Sequence, residues 1–283
     1  MREFSKTMVY AVILGIVLPL VIIAYVVVED VADLIAVHHE TVNELRVGAT
    51  PVPHGEILRQ VADQLKDEGI KLTVVEFDDY ITPNKALDAG GIDANFFQHV
   101  PYLNDFNAEY STNLEPVLSV HFEPLTIFAG KSDNLENIRS GATIAIPNDT
   151  TNRARALLLL ETEGLIELEK DVGMTATVDD IKENPYGIEI IEAEAETLPR
   201  LLRESDFAVI NGNFALMTGI GRSFALASEE SSFQVADEYA NVLVVRSDNK
   251  HKPEVQKLIE ALQSDAIREF IESTYRGSVV TVF

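Results

Sequence analysis

From Leu45 onward, short apolar runs alternate with amphipathic segments, and this alternation limits the fold more than any other feature of the sequence. Short apolar runs between turn residues are typical of buried strands, whereas apolar residues at helical spacing indicate a helix packed on a core. The expected strands are 45–49, 72–77, 114–120, 124–129, 142–147, 188–191, 207–210 and 241–246, and the expected helices are 56–68, 83–89, 134–140, 150–163, 178–184, 197–204 and 253–272. This order of elements predicts an α/β fold with mostly parallel sheets.

The segment 8–28 carries no charged residue and follows Arg2 and Lys6. As a helix it would span roughly 30 Å, the thickness of the hydrocarbon core of a bilayer. Basic residues before it and acidic residues after it predict that the remainder of the chain is extracytoplasmic. We interpret 1–28 as an uncleaved signal anchor with one transmembrane helix, followed by a spacer over 29–44. A cleaved signal peptide is the alternative, although its apolar core is usually shorter.

The charge and residue composition exclude several classes of protein. The chain has 46 acidic and 22 basic residues and a formal net charge of −24, so it would repel nucleic acid. It contains no cysteine, which excludes disulfides, thiolate metal sites and a thiol nucleophile. We find no G-x-S-x-G elbow, P-loop or H-E-x-x-H motif, and we interpret the adjacent His38, His39 and Glu40 as part of the spacer. The sequence therefore predicts no metal, no cofactor and no enzyme activity.

Aromatic side chains are concentrated between residues 77 and 102. Tyr80, Phe97, His99 and Tyr102 fall at positions that we expect to lie in loops at the ends of strands. Aromatic residues in such positions suit a ligand pocket with an apolar floor. The same residues could instead pack in the core.

Two further segments place polar side chains after a strand. In the first, a strand ends at Pro147 and a helix begins near Thr150, so that Arg155 lies close to a helix N-terminus that attracts anions. Alternatively, Arg155 pairs with an acidic side chain of the protein. In the second, Asn211 follows a strand directly, at the edge of a sheet where α/β proteins bind ligands. A simple Asn-Gly turn explains the same residues.

Taken together, the segments 78–102, 147–160 (P-N-D-T-T-N-R-A-R-A-L-L-L-L) and 208–213 (A-V-I-N-G-N) resemble the methionine-binding lipoproteins, the substrate-binding subunits of methionine ABC importers. The resemblance extends from Leu45 to the C-terminus. It implies a type II periplasmic-binding-protein fold, in which two α/β lobes are joined by two crossing strands, near 124–130 and 240–245. Lobe one would comprise 45–126 and 241–283, and lobe two 127–240.

The resemblance also implies a set of ligand-binding residues. An aromatic cage for the methionine side chain carries over to Tyr80, Phe97, His99 and Tyr102. Arg155 corresponds to the arginine that binds the α-carboxylate, and Asn211 and Asn241 correspond to asparagines near the polar end of the amino acid. Glu123 lies where a carboxylate could meet the α-ammonium group.

The implied function is capture of L-methionine and its delivery to an ABC permease and ATPase. Family members carry a lipid-modified cysteine, which this chain lacks, so the transmembrane helix would serve as its anchor in the cell membrane. The sequence leaves open D-methionine, another apolar amino acid or a methionine-containing dipeptide as the ligand. A ligand-sensing surface protein without transport, and an enzyme with His99 as its acid–base group, are the alternative functions.

Overall fold

A computed structural model describes residues 43–221 and 224–283. The predicted transmembrane helix and nearly all of the predicted spacer lie outside the described residues. None of the described helices is both long enough and apolar enough to cross a membrane.

The described strands, in chain order, are β1 (Asn43–Ala49), β2 (Ile70–Glu76), β3 (Ala94–His99), β4 (Leu114–Phe122), β5 (Thr126–Ala129), β6 (Thr143–Pro147), β7 (Glu167–Leu168), β8 (Ile181–Glu183), β9 (Glu189–Ala193), β10 (Phe207–Ile210), β11 (Ala225–Ser228), β12 (Asn241–Arg246) and β13 (Val280–Thr281). The described α-helices are α1 (Glu56–Gln60), α2 (Ala62–Asp67), α3 (Thr82–Asp88), α4 (Val100–Tyr110), α5 (Thr150–Thr162), α6 (Leu198–Leu201), α7 (Gly212–Met217), α8 (Phe233–Glu238), α9 (Pro253–Leu262) and α10 (Asp265–Tyr275).

The strands form two main sheets. One has the strand order β13-β4-β12-β3-β1-β2, the other has the order β11-β5-β10-β6-β9, and β7 and β8 pair separately. The chain passes from the six-stranded sheet to the five-stranded sheet between β4 and β5, and it returns between β11 and β12. These two passages bring both sheets to the same region of the molecule.

Both sheets are mixed, so the prediction of mostly parallel sheets is wrong. In the six-stranded sheet β1 and β3 are parallel, but β12 runs antiparallel to both β3 and β4. In the other sheet β6 is parallel to β9 and β10, while β5 is antiparallel to β10 and β11. Strand direction was misjudged because each passage between the sheets inserts a strand antiparallel to its neighbours.

The predicted apolar positions form the core. Leu45, Val47 and Ala49 of β1 are buried beside an apolar stripe of the first predicted helix, which is formed by Ile57, Leu58, Val61 and Leu65. That helix is divided into α1 and α2 at Val61. Burying one such apolar side chain contributes about 1.5–3 kcal/mol, so these stripes hold the helices on the sheet.

Besides the divided helix 56–68, three further predicted helices differ from the structure in type or number, and the predicted helix 197–204 ends at Leu201. The residues 134–140 form turns, in which the Asn134 side chain accepts a hydrogen bond from the Glu136 amide (2.7 Å) and so competes with helix formation. The residues 178–184 form a 3₁₀ turn, closed by a capping box between Thr177 and Asp180, followed by β8. The predicted helix 253–272 is two helices, because Leu262 and Ile267 are both buried and their spacing of five does not suit one straight helix.

Candidate functional site

A cavity of about 340 Å³ lies where the ends of several strands meet, and all eight predicted site residues line it. It is bordered by the carboxyl ends of β3 and β10, by the residue that follows β4, and by the first turns of α4, α5 and α7. The lining residues are Tyr80, Phe97, Gln98, His99, Tyr102, Glu123, Asn152, Arg155, Asn211, Gly212, Asn213 and Asn241. The topology thus joins residues that are more than 150 positions apart in the sequence.

Aromatic rings form one part of the cavity wall. The ring centroid of Tyr80 lies 5.8 Å from those of both Phe97 and Tyr102, and the Tyr102 hydroxyl donates to the Tyr80 carbonyl (3.0 Å). The prediction that these residues lie in loops is wrong except for Tyr80, because Phe97 and His99 belong to β3 and Tyr102 to α4. The strand and the helix hold the rings more firmly than a loop would.

His99 connects the aromatic and polar parts of the cavity. Its Nδ1 accepts from the Tyr102 amide (3.1 Å), which caps α4, and its Nε2 lies 3.2 Å from Asn152 Oδ1. Burial, together with the positive charge of Arg155, lowers the pKa of His99 to about 3. His99 is therefore neutral at physiological pH, and both of its ring nitrogens are engaged.

Arg155 lies on α5 and is held from several directions. Its Nε and Nη2 donate to the two carboxylate oxygens of Glu229 (3.0 and 2.6 Å), and its Nη1 donates to Asn152 Oδ1 (3.2 Å). The Tyr239 ring packs against the guanidinium, 4.6 Å from its Cζ. Burial alone would lower the pKa of Arg155, but Glu229 more than compensates and raises the pKa above its usual value. The cavity therefore contains a permanent cation that is only 3 % exposed.

Glu123 is the carboxylate of the cavity wall, and two buried histidines hold it. His121 Nε2 lies 2.8 Å and His54 Nε2 lies 3.3 Å from Glu123 Oε1. His54 is fixed in turn by the Thr50 hydroxyl (2.7 Å from Nδ1) and by Asn241 Oδ1 (3.0 Å from Nε2). Burial raises the pKa of Glu123, and it lowers the pKa values of His54 and His121 to about 4 and about 3.

The ligand atoms of His54, His121 and Glu123 all lie within 4.8 Å of one another, close enough to hold a metal ion. Hydrogen bonds from the two Nε2 atoms to Glu123 account for the close approach of these side chains, and His121 Nδ1 has no hydrogen-bond partner among the described residues. Neutral histidines that donate Nε2–H to a carboxylate satisfy it without a metal. We interpret the three side chains as a network that orients Glu123 toward the cavity.

The comparisons with known proteins agree with this architecture. The family model described as NlpA lipoprotein matches residues 45–283. The chain belongs to the NlpA lipoprotein family. This confirms the resemblance noted in the sequence, which begins at the same residue.

Members of this family are similar to the chain over most of their length. The membrane lipoprotein TpN32 of Treponema pallidum is 40 % identical over 235 residues, covering 83 % of this chain and 86 % of TpN32. The D-methionine-binding lipoprotein MetQ of Escherichia coli K12 is 36 % identical over 244 residues, or 84 % of this chain and 88 % of MetQ. A solved nutrient binding protein from Burkholderia cenocepacia, bound to methionine, has a TM-score of 0.79 and 38 % identity, covering 84 % of this chain and all of that one.

Four residues of the cavity wall were missed by the sequence analysis: Gln98, Asn152, Gly212 and Asn213. Asn152 is the most connected of them, because its Oδ1 lies within hydrogen-bond distance of His99, Arg155 and Asn211. It precedes Arg155 by three residues on a predicted helix, so a search for side chains on the same helical face would have found it.

Gly212 and Asn213 were missed for a different reason. They belong to the segment 208–213 (A-V-I-N-G-N), of which the sequence analysis named only Asn211 as a site residue. A Cβ on Gly212 would lie 2.8 Å from Glu123 Oε2, so the close approach of these two segments requires glycine. The turn 211–213 is therefore pressed against the carboxylate of the cavity wall.

Proposed function

We propose that this chain is the substrate-binding protein of an ABC importer and that it binds methionine in the cavity described above. The proposal is supported by the chemistry of the wall, which offers a guanidinium and a carboxylate beside a group of aromatic rings. An α-amino acid with an apolar side chain carries the matching groups. The names of MetQ and of the methionine-bound Burkholderia protein indicate methionine rather than another apolar amino acid.

The observation that carries the proposal is the presence of Arg155 and the aromatic rings in one cavity wall. Arg155 Nη1 and His99 Nε2 both contact Asn152 Oδ1, so two hydrogen bonds through Asn152 connect the guanidinium to the ring of His99. A zwitterion can then place its carboxylate at Arg155 and its ammonium group at Glu123, with its side chain among the rings. A polarisable thioether gains about 0.3–1.5 kcal/mol from a good contact with an aromatic ring.

We infer that the two sheets belong to the two lobes of a type II periplasmic-binding-protein fold, with boundaries at 45–126 and 241–283 for lobe one and 127–240 for lobe two. Among the hydrogen bonds that cross this division, two join side chains of the cavity wall. The Tyr80 hydroxyl donates to Asn213 Oδ1 (2.6 Å), and His99 Nε2 pairs with Asn152 Oδ1 (3.2 Å). Such contacts form when the lobes close on a ligand and are lost when they open.

The role is binding without chemical conversion. An enzyme in this cavity would need an acid or base that can exchange a proton near neutral pH. His99 is a poor candidate, because its pKa is lowered to about 3 and its ring nitrogens are engaged by Tyr102 and Asn152.

We further propose that segment 8–28 anchors the protein in the cell membrane, with the binding domain on the extracytoplasmic side. Relatives named as membrane or outer membrane lipoproteins support attachment to a membrane. This chain has no cysteine to carry a lipid, so an apolar helix would replace that anchor. The partners would be the permease and ATPase subunits of the importer.

Calorimetric titration with L-methionine tests the function. We expect the protein to bind L-methionine. The affinity of the variant Arg155→Ala should be lower by about 10- to 100-fold or more, because the ligand carboxylate loses a charge-assisted partner. Arg153→Ala is the matched control, since Arg153 lies on the same helix and bonds to Glu192 and the Ala176 carbonyl instead. Absence of methionine binding in the unmodified protein, or equal losses in the two variants, would contradict the proposal.

A further inference from the structure

Two buried side-chain atoms at the first turn of α7, where Asn211 is the N-cap, have no hydrogen-bond partner among the described residues: Asn211 Oδ1 and Asn213 Nδ2. Both side chains line the cavity and are 8 % and 3 % exposed. A buried polar atom without a partner costs about 1–3 kcal/mol, so such atoms are rare unless something else satisfies them. One of these atoms is an acceptor and the other is a donor.

The orientation of the Asn213 amide follows from its neighbour across the cavity. The Tyr80 hydroxyl donates to Asn213 Oδ1 (2.6 Å), so the amide oxygen is occupied and the unpaired atom is the Nδ2 donor. On Asn211 the situation is reversed, because Nδ2 donates to Asn152 Oδ1 (3.0 Å) and Oδ1 stays unpaired. The turn therefore presents one acceptor and one donor to the same cavity.

A zwitterionic amino acid complements this pair of atoms. Its ammonium group donates hydrogen bonds and its carboxylate accepts them, whereas a thioether sulfur is only a weak acceptor. The Asn213 donor can therefore be satisfied well only by a carboxylate oxygen. The neighbouring Asn211 acceptor suits the ammonium group.

We propose that Asn213 is a specificity-determining residue, which donates Nδ2–H to the ligand carboxylate beside Arg155. This inference rests on the proposed function. It adds, besides Arg155, a second hydrogen-bond donor to the ligand carboxylate, which neither the sequence motifs nor the resemblance indicated. Because Tyr80 fixes the same amide from the opposite wall, Asn213 links recognition of the carboxylate to the aromatic part of the cavity.

The test compares two ligands, L-methionine and 3-(methylthio)propylamine, which lacks the carboxylate but keeps the ammonium group and thioether. Binding is measured by calorimetry, with competition titrations for weak ligands. Asn213→Leu removes the donor without adding charge. We expect it to weaken L-methionine binding by about 10- to 100-fold and to change amine binding by less than about threefold.

Asn213→Asp is the second variant, because it keeps an oxygen that accepts from Tyr80 and replaces the donor with another oxygen. We expect it to weaken L-methionine binding at least as much as Asn213→Leu and to leave amine binding unchanged or tighter. Asn113→Asp is the charge-matched control, since the Asn113 side chain bonds to Ser247 outside the cavity. Melting temperatures without ligand establish that each variant is folded.

The outcomes separate the two proposals. If the unmodified protein does not bind L-methionine, the proposed function fails. If it binds L-methionine but either folded variant retains that affinity, or loses both ligands in equal proportion, the role of Asn213 is overturned. A loss confined to the ligand that carries a carboxylate supports it.

Discussion

The two parts of the cavity wall are built differently. The aromatic part, Tyr80, Phe97 and Tyr102, comes from one short stretch of chain beside the six-stranded sheet. The polar part, Glu123, Arg155, Asn152, Asn211, Asn213 and Asn241, is assembled from distant segments around both sheets. The aromatic part depends on packing, whereas the polar part depends on a network of charges and amides.

This difference separates two contributions to binding. In the proposed function, the polar part recognises the backbone groups that every α-amino acid has, and each charge-assisted contact there would contribute about 1.5–3 kcal/mol. The aromatic part distinguishes one side chain from another through smaller contributions. We therefore expect substitutions in the polar part to weaken the binding of every α-amino acid, and substitutions in the aromatic part to change the preference among amino acids.

The largest effect in the polar part besides that of Arg155 is expected for Glu123→Gln. The substitution keeps the shape and an oxygen that accepts from His121, but it removes the charge that faces the ammonium group. L-methionine affinity should fall by about 10- to 100-fold in a calorimetric titration, while 3-(methylthio)propionate, which has no ammonium group, should not bind more weakly. Glu115→Gln, at a partly buried pair with Lys250 outside the cavity, is the control. Equal losses for both ligands would show that Glu123 acts on the fold instead.

The pH dependence of L-methionine binding also tests whether Glu123 is the partner of the ammonium group. Burial raises the pKa of Glu123 above its ordinary value of 4.5, although His54 and Arg155 oppose this. Since the ammonium group requires the ionised carboxylate, L-methionine affinity should be greatest above that raised pKa. It should fall as the pH drops through the raised pKa, starting at a higher pH than for an ordinary glutamate.

The three buried histidines near Glu123 should protonate only at lower pH, because the pKa values of His54, His99 and His121 are lowered to about 4, 3 and 3. The fall should therefore be accompanied by proton uptake in the free protein and should be flattened by Glu123→Gln. A midpoint near pH 6.5 that persists in Glu123→Gln would assign the titration to a histidine and contradict this account.

A smaller effect is expected in the aromatic part for Phe97→Leu. Leucine keeps the apolar surface but loses the contact with sulfur, so L-methionine affinity should fall by about 2- to 10-fold. Affinity for L-norleucine, which has a methylene in place of sulfur, should change less. Phe106→Leu is the matched control, since Phe106 belongs to the same core cluster but lies outside this cavity wall. If Phe97→Leu abolished binding of both ligands, the two parts of the wall would not be separable.

A comparably small effect is expected for Tyr80→Phe, which removes only the hydroxyl that bonds to Asn213. A neutral hydrogen bond contributes about 0.5–1.5 kcal/mol, so affinity should fall by about 2- to 12-fold. Combined with Asn213→Leu, the loss should be less than the product of the single losses, because both changes act on one amide. Fully multiplicative losses would indicate that Tyr80 and Asn213 act independently.

The positions of most strands could be predicted from the sequence, but their parallel or antiparallel directions could not. Apolar runs such as Phe207–Ile210 and Asn241–Arg246 were found with their observed bounds, because hydrophobic periodicity is a local property. The strand Ala94–His99 was missed because it follows two glycines and contains Asn95 and Gln98, which are buried in a hydrogen-bonded amide cluster with Asn84. Such pairing depends on the fold and leaves no periodic signal.

The candidate site shows the same limit. Arg155 and Asn211 could be proposed from their places after strands. Glu229, the partner of Arg155, lies 74 residues further along the chain, next to Glu230 in a polar segment that looks like a solvated surface. The orientation of Glu123 depends on His54 and His121, whose approach to it is set by the sheet. Most of the proposed ligand contacts left a signal in the sequence, whereas the residues that position them did not.

The central claim is that one zwitterion lies with its carboxylate at Arg155 and its thioether among the aromatic rings. A crystal structure of the complex with L-methionine tests it most directly. We expect a carboxylate oxygen within hydrogen-bond distance of both Arg155 Nη1 and Asn213 Nδ2, with the sulfur close to the rings of Tyr80, Phe97 and Tyr102. A reversed ligand, with its carboxylate near those rings, or a ligand bound outside this cavity, would contradict the account.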